Sequence, residues 1–182
     1  MRCVRLTRST SRSQTSRLAV SRPGSCSSPN GADSSSVDAL LDRVLEAARQ
    51  LTGARYAAIG LLDRSRHELE RFTTAGLDES THQQIGVLPR GRGLLGELIA
   101  DPRPLRLADV SAHPHFYGFP SGHPAMKTFL GVPLLVDGKP FGNLYLTDKR
   151  RGEEFTAEDE QAVVRLAKLA GPAIERLSRG DR

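Results

Sequence analysis

The 182-residue chain has no tryptophan and only two cysteines, Cys3 and Cys26, both within its first 36 residues. The body that follows has none, so no disulfide staples it and no thiol chemistry takes place inside it. A reducing compartment fits this usage, and the expectation is cytoplasmic. No apolar run approaches the roughly eighteen residues a membrane span needs, so a membrane is not an expected partner. Acidic residues are scarce in one place only. Residues 1–36 contain six arginines and a single acid, Asp33, whereas the other 146 residues carry twenty basic and twenty acidic side chains. The formal net charge of +5 therefore belongs to the leading segment. A balanced body argues against a nucleic-acid partner.

Residues 1–36 are rich in Ser and Arg and are broken by Pro23-Gly24 and Pro29-Asn30-Gly31. They bury too little apolar surface to offset their ordering entropy and are expected to be a disordered tail. Residues 37–177 are expected to form one domain, with 178–182 a short C-terminal tail. Val37, Leu40, Leu41, Val44, Ala48 and Leu51 recur at helical spacing, Ser35 and Asp38 suggest a cap, and Gly53 stops the helix. Residues 55–63 and 68–74 read as two strands joined by a polar turn. Short helices are expected over 78–85 and 93–100, and a short strand over 104–107. Residues 127–136 and 140–147 form the clearest hairpin, turning at Asp137-Gly138. Thr156 and Asp159 open a last helix to Leu177, which Pro172 is expected to kink or shorten. Antiparallel hairpins between long terminal helices indicate an α+β sandwich rather than a doubly wound sheet.

Phe129-Leu130-Gly131-Val132-Pro133 and Phe141-Gly142-Asn143-Leu144-Tyr145-Leu146, set in that element order, resemble a GAF domain over residues 37–177. The resemblance implies a central antiparallel sheet, with a ligand pocket and short helices on one face and terminal helices on the other. It further implies a sensory module that dimerises through its terminal helices. The stretch from Arg106 to Pro133, with the strand from Phe141 to Lys149, is similar to the haem-binding first GAF domain of actinobacterial oxygen- and redox-sensing histidine kinases, the dormancy-survival type. That likeness implies b-type haem with His123 as proximal iron ligand and Tyr145 on the distal side. It puts Gly60 at the position that tunes distal access. Phe116, Phe119, Met126, Leu130 and Ile59 are the expected apolar walls. Ala125 departs from the pattern by standing where the family has a second proline. The expected signal is a diatomic gas or redox state, passed as in two-component systems to a histidine kinase or other regulator in trans, with the chain a homodimer. A cofactor-free interaction module and a cyclic-nucleotide or small-metabolite binder are the alternatives.

Other constellations carry less. Gly91-Arg92-Gly93-Leu94-Leu95-Gly96 matches GxGxxG, but no buried strand precedes it, so the glycines shape a turn into a helix. Asp148-Lys149 with Phe155 and Asp159-Glu160 resembles a cyclic-nucleotide pattern; the simpler reading pairs Lys149 with Asp159. His113-Pro114-His115 with Asp109 lacks the further ligands of a metal centre, and His113 is read as a loop or capping residue. Free methionine-sulfoxide reductases and bilin photoreceptors of this fold need cysteines that the body lacks. The chain is not expected to be an enzyme.

Overall fold

The computed structural model describes residues 5–7, 34–66, 68–78, 94–119, 123–150 and 154–180. Helix α1 (Ser34–Thr52) buries Val37, Leu41, Val44, Leu45 and Ala48 along one stripe. Gly53 ends it in the left-handed region at φ 71°, its N–H donating to the Arg49 carbonyl. Strands β2 (Ala54–Leu62) and β3 (Leu69–Ala75) follow as an antiparallel pair. Helix α2 (Leu94–Ala100), strand β4 (Leu105–Leu107) and a turn of 3-10 helix (Val110–Ala112) lead to β5 (Phe129–Val136) and β6 (Lys139–Lys149). Asp137 and Gly138 both have positive φ, as a tight right-twisting hairpin turn requires. The helix expected over 78–85 lies outside the described residues, apart from Asp78.

One strand has no counterpart in the sequence reading. Arg5–Thr7, within the segment expected to be disordered, pairs antiparallel with β3 as β1. Among the described residues the sheet then has six strands in the order β1-β3-β2-β6-β5-β4. Helix α1 also begins three residues inside that segment.

Helix α3 (Ala157–Gly180) opens on a reciprocal cap. The Thr156 N–H donates to Asp159 Oδ2 at 2.8 Å, and the Asp159 N–H donates to Thr156 Oγ1 at 3.2 Å. The helix does not stop at Pro172 but continues to Gly180. Pro172 is exposed, while Gly171, Ile174 and Ser178 are buried. Burial of that inner stripe holds the last turns in place despite the missing donor.

The sheet divides two clusters. On one face α1 and α3 pack over Ala57, Ile59, Leu61, Leu130, Val132, Leu134, Leu144 and Leu146. On the other, Phe129 and Tyr145 pack beneath Leu98 of α2 and Val110, with Ala58, Phe72, Leu105 and Phe116 around them. This is the expected α+β arrangement, with long helices on one face and a short helix on the other.

Candidate functional site

Side chains alternate across a strand, so the parity of each position decides which face it serves. On β6, Leu144 and Leu146 face the long helices, whereas Asn143 and Tyr145 face α2. Gly60 lies across from Asn143 and next to Tyr145: a Cβ added to Gly60 would sit 3.6 Å from Tyr145 Cε2 and 2.7 Å from Leu69 Cδ2. The glycine therefore lets Leu69, Phe72 and the phenol ring close in on the backbone at this point. Phe72 and Phe129 flank that ring, with centroids 6.4 and 6.1 Å away.

The polar atoms here are unusual for a core. Among the described residues, the Tyr145 hydroxyl and both polar atoms of the Asn143 amide are buried without a hydrogen-bond partner. Burial pushes the Tyr145 phenol well above its ordinary range, and the neighbouring Asn143 amide acts in the opposite direction without outweighing it. The two groups make no hydrogen bond of acceptable geometry. Leaving a buried donor or acceptor unmade costs about 1–3 kcal/mol each. Three such atoms side by side, on a face lined by aromatic rings and a glycine, form a polar patch set into apolar walls, as ligand seats are built. Asn143 escaped the sequence reading, although its place two residues before Tyr145 in an otherwise apolar strand is a legible sign.

His123 follows a stretch outside the described residues and is half-buried. Its Nδ1 lies 2.8 Å from the Pro124 carbonyl oxygen, which can only accept, so Nδ1 carries the proton. The neutral ring then has its free lone pair on Nε2. The imidazole stacks on Phe119 at 4.7 Å and 6°, and Phe119 meets Phe116 edge-on at 5.0 Å. Phe116 packs on the Tyr145 cluster, so a run of ring contacts connects the histidine to that face. Met126 accepts a hydrogen bond through Sδ from Thr147 Oγ1 at 3.0 Å. Asp148, at φ 53°, receives the Lys127 N–H at 2.7 Å and gives its own N–H to the Thr128 carbonyl. These bonds seat the segment that carries His123 against the end of β6.

Two expected wall residues lie elsewhere. Leu130 and Ile59 are fully buried in the cluster beneath α1 and α3, on the opposite side of the sheet from Tyr145. Leu130 is one residue out of phase with Phe129 and Gly131, and Ile59 one residue out of phase with Gly60, so the pleat sends them the other way. Phe129 and Phe72 supply the walls instead.

The remaining candidates resolve locally. Lys149 Nζ donates to Asp159 Oδ2 at 2.6 Å, tying β6 to the cap of α3 as the simpler reading required. Asp109 does not join the histidines; its carboxylate accepts from Ser111 N and Oγ and caps the 3-10 turn. Those hydrogen bonds hold its carboxyl below the usual range. His113 is the C-cap of that turn, and its N–H donates to the Val110 carbonyl. The carboxylate that meets His113 and His115 is Glu97, from α2.

A family model described as "GAF domain" matches residues 34–175. Among solved structures, the GAF domain of a phosphoenolpyruvate-protein phosphotransferase from Coxiella burnetii is 24% identical, with a TM-score of 0.64, covering 81% of this chain and 91% of its own. The domain of a putative two-component sensor histidine kinase from Sinorhizobium meliloti 1021 is 16% identical, with a TM-score of 0.55 and coverages of 78% and 92%. A free methionine-R-sulfoxide reductase from Neisseria meningitidis, in complex with its substrate, is 21% identical, with a TM-score of 0.58 and coverages of 81% and 87%. At such identities the likeness to these structures is one of fold.

Proposed function

Since the chain belongs to the GAF domain family, we propose that it is a non-catalytic sensory module whose ligand seat is the sheet face bearing Asn143 and Tyr145. One observation carries this reading: among the described residues, three buried polar atoms of these two side chains have no partner, on the face that the short helix rather than the long helices covers. A ligand that hydrogen-bonds them would recover their desolvation cost. The seat shares β6 with the packing of α1 and α3, so ligand-dependent shifts of β6 would reach the terminal helices. Leu51 and Leu169, 56% and 81% exposed on those helices, give them apolar positions for a homodimer. Leu169→Glu is expected to return a dimer to monomer in sedimentation, and an unchanged mass would rule out that surface.

For the ligand itself we propose b-type haem, on the strength of the His123 tautomer. A metal-bound histidine usually donates its other ring N–H to a carbonyl or carboxylate, and His123 does so to Pro124. Phe119 covers a face of the ring, not the plane in which Nε2 binds a metal. His123 would hold the iron, and Phe116, Phe119, Met126 and Phe129 would give apolar contact. The bound group would supply a redox-active, gas-binding centre. Tyr145 would stay a neutral phenol and hydrogen-bond donor, because burial opposes its ionisation. The full chain, purified and mixed with haemin, is expected to develop a Soret band that His123→Ala abolishes. No band, or equal uptake by the variant, rejects haem. The seat reading is tested separately: a small molecule that raises the melting temperature of the wild type should lose that effect in Asn143→Leu.

A further inference from the structure

We propose that Glu97, His113 and His115 form a binding site for a divalent transition metal of the zinc class, separate from His123 and independent of the ligand reading above. The three side chains come from two segments that the chain separates by strand β4. Glu97 sits on α2, while His113 and His115 flank Pro114 after the 3-10 turn. One carboxylate oxygen, Glu97 Oε2, lies 3.0 Å from His115 Nδ1 and 3.5 Å from His113 Nε2. One donor atom from each residue falls within a 4.8 Å cluster. Ligands bound at about 2.0–2.1 Å around a tetrahedral zinc stand about 3.3 Å apart, so the separations of 3.0 and 3.5 Å bracket that spacing.

The chemistry of the set is as specific as its spacing. Two imidazoles and a carboxylate leave one position of a tetrahedron for water, the composition of a three-ligand site. Nitrogen donors favour zinc, copper, nickel or cobalt over magnesium and calcium, which prefer all-oxygen shells. Without a metal, His115 Nδ1–H donates to the carboxylate and the His113 Nε2 edge faces the same oxygen. A cation at the centre would displace the imidazole proton that now faces the carboxylate, so binding would release protons. One local contact opposes binding. His113 Nδ1 accepts a long hydrogen bond, 3.3 Å, from the His115 N–H. A ring ligated through Nε2 carries its proton on Nδ1 and must give that contact up. The expected affinity is accordingly micromolar rather than that of a structural zinc finger.

The position also gives the site a consequence. Leu98, one residue after Glu97, and Val110 and Phe116, on either side of the histidines, all pack on the Tyr145 cluster. The Phe116 N–H is bonded to the His113 carbonyl at 2.9 Å. A metal holding Glu97 to His113 and His115 would clamp together the two segments that roof the seat.

The test uses the full, untagged chain with Cys3→Ser and Cys26→Ser, which removes the two thiols that could bind zinc by themselves. After chelation and dialysis, zinc titration by calorimetry should give one equivalent per chain and a raised melting temperature. Cobalt should give the visible bands of a low-coordinate nitrogen and oxygen site. His115→Ala, at an exposed side chain, and Glu97→Gln are each expected to weaken binding at least tenfold, while His123→Ala leaves it unchanged. No zinc uptake at submillimolar metal overturns the proposal. So does uptake that His115→Ala and Glu97→Gln do not alter, or uptake lost only with His123→Ala. Haem failure in the preceding experiment leaves each of these outcomes readable.

Discussion

The two faces of the sheet are built from the same strands and to opposite specifications. Beneath α1 and α3 lie Leu41, Leu45, Ile59, Leu130, Leu144, Leu146 and Ile174, aliphatic and almost wholly buried. Across the sheet lie Phe72, Phe129 and Tyr145 with glycine at 60 and 131, and beside them the unpartnered amide and phenol. The first face maximises burial of aliphatic side chains, and buried polar atoms unpartnered there among the described residues, such as Thr73 Oγ1 opposite Ile59 and Ser178 Oγ on the stripe of α3, belong to separate elements rather than to one patch. The second leaves polar atoms of Asn143 and Tyr145 unpaired among the described residues, at a cost in stability. Residues 144 and 145, adjacent on β6, belong to different tasks, and that adjacency makes the difference measurable.

The largest effect belongs to the helix face. Leu144→Ala removes a fully buried side chain and is expected to lower unfolding stability by about 3 kcal/mol in urea titrations. A loss below about 1 kcal/mol would mean that this face is not the folding core. Gly142→Ala comes next, because its Cβ would stand 2.5 Å from the Gly60 carbonyl oxygen, a backbone atom with little freedom to retreat. Overpacking there should cost about 2 kcal/mol, whereas Gly60→Ala meets the flexible end of Leu69 and should cost under ~1 kcal/mol. Equal losses at the two glycines would erase the contrast between backbone and side-chain crowding.

On the other face the expected sign reverses. Tyr145→Phe deletes an unpartnered hydroxyl and keeps the ring, so it should stabilise the ligand-free chain by about 1 kcal/mol. Destabilisation of that size would show that the hydroxyl is satisfied in solution. The smallest effect is a pH dependence. The Tyr145 phenol is raised in the folded chain, so between the ordinary tyrosine range and its own higher value the unfolded state loses the proton first. Stability is unaffected by this group below about pH 10 and falls as pH rises beyond it. Alkaline unfolding should be shallower in Tyr145→Phe, and identical slopes would remove Tyr145 as its cause.

Much of this was legible locally. The stripe of α1, the Thr156–Asp159 cap, the Asp137-Gly138 turn and the Lys149–Asp159 pair each depend on residues close in sequence or on strong turn chemistry. The placement of Leu130 was not. Phe129 to Val136 is apolar at nearly every position, so no alternation marks which side chains face α2. Strand β1 was hidden for another reason: Arg5–Thr7 has no core signature, and its pairing is made by backbone groups of β3.

The sequence by itself determined the family and the order of helices and strands from α1 to α3, and the resemblance to that family singled out His123 and Tyr145 as candidates. The element order follows from short-range periodicity, caps and turns, which act within a few residues of one another, while the family and the two candidates follow from motif resemblance. Only the tertiary structure decided that Asn143 joins Tyr145, that Leu130 and Ile59 turn away, and that Glu97 rather than Asp109 meets the two histidines. Those outcomes depend on the register of hydrogen-bonded strands, where a shift of one residue exchanges the faces, and on where α2 comes to rest over the sheet. No local run of residues encodes either.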